Sequence, residues 1–190
     1  MYSFRAGILL LLLSIQLSSF AQQDQSNITG EVNIAIPEVA ILDLESATGT
    51  SINLVLNVRD EAGVPIDVSE ANDSTIWLNY SSIKGKGKDG RRDVYASVTS
   101  GQIPSGFQLR LKALADAGKG DGTLGTPKNE IVMGTKPRKI IRSIGSCYTG
   151  NGVGSGHRLV YRLMLKNNQL DRVKFDESGT LTILYTFSED

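Results

Sequence analysis

The whole chain holds one histidine, His157, and one cysteine, Cys147, both in a glycine-rich stretch. A serine or cysteine becomes a strong nucleophile only with a base in reach, usually an imidazole. Any such chemistry would have to run through His157. No GxSxG elbow accompanies it. Ser81-Ser82-Ile83-Lys84 matches the SxxK spacing, but so short a pattern arises readily by chance, and its KTG and SDN companions are absent. His157 therefore reads as a turn residue or polar contact. Cys147 reads as a small buried or loop thiol, with pairing between molecules as its sharper alternative. One Cys closes no intrachain disulfide, and with one His it completes no zinc cage.

Three further patterns invite chemistry and do not carry it. Gly150-Asn151-Gly152-Val153-Gly154 looks like a dinucleotide loop, but that loop works only ahead of a helix N-terminus. A strand-like RLVYRLML follows instead, so a hairpin loop is expected. Asp116-Ala117-Gly118-Lys119-Gly120-Asp121-Gly122 misses the oxygen register of a calcium loop and places Lys119 in its middle. Carboxylate pairs abound among 20 acids, and sequence cannot single out a working pair. No catalytic residue, cofactor or metal is expected.

The best local binding candidate is a basic loop, Lys84, Lys86, Lys88, Arg91 and Arg92, spaced by glycines. It could meet an anionic ligand through its local field, or keep an exposed hairpin soluble. The chain as a whole carries 20 basic and 20 acidic residues, a balance that argues against a nucleic-acid partner. Aromatics are scarce at 6%. Trp77, Tyr80, Tyr95 and Tyr148 are the candidate stacking faces, and Trp77 should face opposite to Ile76 and Leu78.

The elements that must position these residues read as strands. Apolar residues alternate with polar ones at Ile28–Ile36, Ile52–Val58, Ile76–Tyr80, Phe107–Leu111, Leu159–Leu165 and Leu181–Phe187, with a further apolar run at Val39–Leu42. Alternation buries one face of a strand and leaves the other in water. Gly, Asn, Asp, Ser and Pro clusters between the runs supply turns. Only Gln108 to Ala117 competes as a helix. The expected fold is all-β, an immunoglobulin-like antiparallel β-sandwich in a single domain.

Residues 1–21 have the form of a secretory signal. Arg5 gives the positive start, Ile8 to Leu17 the apolar stretch, and Ser19-Phe20-Ala21 the small-residue cleavage site. The apolar stretch is short of the roughly 20 residues that span a bilayer. Export to the periplasm, cell surface or medium is expected, with no stable membrane insertion after cleavage. The remaining domain is 22–190, with an N-terminal strand segment over 28–44.

The layout GEVNIAIPEVAILDLES, then IIRSIGSCYTGNGVGSGHRLVYRLML, then a closing GTLTILYTFSED resembles the secreted β-sandwich subunits of bacterial fimbriae, near chaperone–usher pilins and spore-coat-U-like domains. The resemblance implies an incomplete sandwich completed by a strand from the next subunit. Val32, Ile34 and Ile36 would be the donated side chains, and Leu181, Ile183, Tyr185 and Phe187 the final strand met by an assembly chaperone. Partners would then be copies of the chain or related subunits. Many pilins carry a disulfide and a penultimate Tyr; this chain has one Cys, and Tyr185 lies further in. The alternative is a self-contained secreted module that binds a glycan or another ligand.

Overall fold

The computed structural model describes residues 31–56, 61–85, 90–174 and 176–189. The signal-like segment, residues 28–30, Lys86 and Lys88 lie outside them. Two units are distinguished, Met1–Ala35 and Ile36–Asp190. In the first, residues 31–35 form no strand. The second unit is an antiparallel β-sandwich.

Its strands in chain order are β1 (Val39–Glu45), β2 (Asn72–Asp73), β3 (Trp77–Ile83), β4 (Arg92–Ser100), β5 (Phe107–Asp116), β6 (Asp121–Gly122), β7 (Thr126–Pro127), β8 (Ile131–Val132), β9 (Arg138–Ile144), β10 (Cys147–Tyr148), β11 (His157–Leu165) and β12 (Thr182–Glu189). A short 3-10 turn covers Leu170–Arg172. Gln108–Ala117, where a helical pattern competed, is strand as far as Asp116. The expected run at Ile52–Val58 differs: no strand forms over 51–56, although Ile52 and Leu54 still pack on the core. Residues 57–60 are outside the described set. Likewise, within the described part of the expected N-terminal strand segment, no strand forms over 31–38 and β1 begins at Val39.

Among the described residues the strands form two sheets, one of eight and one of four. In the larger, β1 pairs along the whole of β3, from Val39 opposite Ile83 to Glu45 opposite Trp77. The other edge of β3 carries first β10 and then β11. Beyond β11 comes β5, which also pairs β8. The smaller sheet runs β12-β4-β9-β7. Alternation explains the core: Leu78 and Tyr80, Leu109 and Leu111, Leu159 and Tyr161, and Val94 and Ala96 all point inward and are buried. The intervening residues of β5 and β11 face water.

One polar side chain sits where an apolar one is expected. Arg92 shares the parity of Val94, Ala96 and Val98, so its side chain turns inward and is only 2% exposed. This corrects its assignment to the ligand-facing basic loop. Its Nη1 donates to Val39 O at 2.8 Å, Ser82 Oγ at 3.0 Å and Ile83 O at 3.3 Å. Its Nη2 pairs with Glu38. The guanidinium also lies 5.8 Å from the ring centre of Phe187. One group therefore touches β1, β3 and β12.

A buried guanidinium is tolerated only when such acceptors answer it. Its removal would strand two carbonyls. Arg92→Met is expected to cost about 2–4 kcal/mol, while Glu38→Gln, acting at a 66% exposed carboxylate, should cost under about 1 kcal/mol. Urea titration of the two variants checks this; equal losses would mean the exposed ion pair, not the backbone acceptors, carries the effect.

Candidate functional site

The expected subunit-contact residues divide into two kinds. Val32, Ile34 and Ile36 stand 84%, 83% and 75% exposed. Their alternation belongs to a strand, yet no strand pairs with this segment among the described residues. Three large apolar side chains in water at strand spacing are unusual for a settled element.

Leu181, Ile183, Tyr185 and Phe187 behave differently. They face inward and pack, half-buried, on the core. Tyr185 meets the Tyr161 hydroxyl in the opposite sheet, and Phe187 lies 5.6 Å from Tyr80, ring centre to ring centre. Burial pushes the Tyr161 phenol up to about 12 and the Tyr185 phenol well above its ordinary value, so both hydroxyls stay protonated and can bond each other. These side chains are therefore committed to their own domain. What β12 offers outward is its backbone. Among the described residues it pairs only with β4, so every second N–H and C=O along it has no described strand to bond. Where Leu181 leads into β12, it lines an apolar depression with Val98 and Ile103.

Of the basic loop, Arg91 is exposed and Lys84 half-buried, its backbone N–H donating to Ser146 Oγ at 3.2 Å. Of the expected anionic-ligand set, Arg92 is buried, and Lys86 and Lys88 lie outside the described residues.

The glycine-rich stretch is no hairpin tip. β10 and β11 lie in line along the same edge of β3, and residues 149–156 loop out between them. Gly156 N–H donates to Thr149 O at 3.2 Å and closes the loop. Gly156 adopts φ +69°, and a Cβ there would sit 2.3 Å from Leu78 O, so only glycine fits. The loop hands His157 to the core, where it is 1% exposed. Its Nδ1 donates to Leu114 O at 2.8 Å, and its Nε2 lies 2.8 Å from the Tyr80 hydroxyl, which in turn donates to Leu124 O. Both ring nitrogens face protein partners at a core position that is closed to solvent.

Cys147 stands nearby, opposite Ser82, as a half-buried free thiol. Burial, with a smaller contribution from the Asp116 charge, pushes its thiol up to about 11. A nucleophilic cysteine needs the opposite shift. Asp116 and Asp121 each spend a carboxylate oxygen on a loop amide, that of Gly118 and Gly122 respectively.

The aromatic residues separate by face. Tyr80 is buried, whereas Tyr148 is 54% exposed. Trp77 turns away from Ile76 and Leu78 onto the solvent side, half-buried, with the Arg158 guanidinium 5.9 Å over its ring. No family model matches the chain, and no curated protein or solved structure proves similar to it.

The raised thiol and phenols fix an alkaline limit. Cys147 moves from about 9 to about 11 and Tyr161 from 10 to about 12. The unfolded chain thus loses these protons first, and stability present below about pH 9 falls as pH rises toward 12. Urea midpoints should stay flat from pH 7 to about 8.5 and then decline, with Cys147→Ser delaying the onset. A midpoint unchanged to about pH 11 would contradict the burial of these groups.

Proposed function

We propose that the chain is a non-catalytic, exported structural or adhesive surface protein of fimbrial type, whose subunits assemble by strand donation. The observation that carries this reading is the exposed, alternating Val32, Ile34 and Ile36 together with a strand, β12, that pairs with β4 alone among the described residues. An extended segment adding to a sheet edge gains backbone hydrogen bonds, and its alternate side chains find pockets. Passing a segment from each copy to the next is head-to-tail and gives open fibres. The apolar depression beside Leu181 is a candidate pocket for one donated side chain.

The chemistry of the interior favours a non-enzyme. The single imidazole is engaged at both nitrogens, and the single thiol is held protonated. A second reading, a self-contained ligand-binding module, draws on the solvent-facing Trp77 and Tyr148.

Protein from its native envelope should run as a ladder in SDS without heating and collapse to one band on boiling. The variant Val32→Ser/Ile34→Ser/Ile36→Ser should lose the ladder while its monomer melts within a few degrees of the parent, because these side chains support no fold of their own. A single monomer band from the unaltered protein, or a ladder that survives the triple substitution, would remove the assembly reading.

A further inference from the structure

The solvent face of the larger sheet carries a second set of cations. Leu109, Leu111, Leu159 and Tyr161 are buried inward, so their neighbours on β5 and β11 point out. Arg110 stands directly opposite Arg162, and Lys112 opposite Val160. One strand further, Arg158 pairs with Trp77. Residues two apart on a strand lie roughly 7 Å from each other, and adjacent strands about 5 Å. The four cations thus share one patch.

The local charge is unbalanced. Glu130 accepts a hydrogen bond from Arg110 at 3.1 Å and forms an ion pair with Arg162 at 3.3 Å, so one carboxylate answers two guanidiniums. Among the described residues no ion pair involves Lys112 or Arg158. Like charges placed opposite one another in a sheet cost stability. Glu130 between Arg110 and Arg162 offsets that repulsion, and the trio still carries one net positive charge beside Lys112 and Arg158.

We propose that this face binds an acidic polysaccharide. The repeated cations match the repeated carboxylates or sulfates of such a polymer. At the margin, the half-buried Trp77 ring, with the Arg158 guanidinium 5.9 Å from its centre, supplies an aromatic surface that suits the carbon face of a sugar ring. A nucleic acid fits less well, because the chain has no net positive charge to displace counterions along a phosphate backbone. The patch is independent of strand donation, and it would act equally on a monomer or on every subunit of a fibre.

Retardation of the full chain in gels containing polygalacturonate, dextran sulfate or neutral dextran tests this. Both acidic polymers should retard it at low salt and neutral dextran should not. Lys112→Glu/Arg158→Glu should weaken the retardation by about tenfold or more, since each lost cation removes counterion release. The milder Lys112→Gln/Arg158→Gln should act in the same direction if the reversal fails to fold, and Arg91→Glu in the basic loop should change nothing. No retardation by either acidic polymer would overturn the proposal. So would full retention by the folded Gln variant, or tighter binding to oligo-dT or phosphatidylglycerol vesicles than to both polysaccharides.

Discussion

The buried guanidinium of Arg92 is the constraint around which the sandwich is arranged. A charge taken from water must be answered on every side, and the answers come from distant stretches of the chain. The Val39 carbonyl begins β1, Ser82 and Ile83 end β3, and Phe187 belongs to β12. β1 and β12 are edge strands of different sheets, and Arg92 meets both. A methionine of similar length could fill the volume, but it could not hold the start of β1 in register against the end of β3.

The edges depend on that fixing. β12 is tied inward by Tyr185 on Tyr161 and by Phe187 on Tyr80, so its position does not depend on a further strand outside it. An edge held rigid and left unpaired is a template for another extended segment. Glu38, the exposed partner of Arg92, is preceded in the chain by Ile34 and Ile36, both in water. The buried charge therefore anchors the point where the chain leaves its apolar, strandless segment and enters β1.

Much of the fold was legible because period-two alternation survives wherever a strand runs unbroken, as at Phe107–Leu111 and Leu159–Leu165. It failed where a bulge shifts the period. In β9, Ile140 and Ile141 are adjacent and both buried, the register against β4 slips, and Ser143 takes φ +62° with its N–H on Asp93 at 2.8 Å. Arg92 escapes the pattern for another reason. Glycines and four other cations precede it, and composition outweighed its parity with Val94, which turns it inward. Ile52 and Leu54 show the converse: alternation reflects burial on one side and does not require a hydrogen-bonded neighbour. The glycine loop hid a continuous line, since residues 149–156 interrupt a single edge formed by β10 and β11 along β3. The cation patch was not visible at all, because Arg110 and Arg162 meet only through the register of β5 with β11.

Hydrogen–deuterium exchange on the full chain, compared between dissociated monomer and assembled material, addresses the central claim directly. In the monomer, amides of residues 32–36 should exchange as fast as an unstructured peptide, while β12 should protect only alternate amides, those facing β4. In assembled material both the 32–36 segment and the remaining β12 amides should become protected together. Strong protection of residues 32–36 already in the monomer would show that the segment completes its own domain, and the account of an open edge awaiting a partner would be wrong.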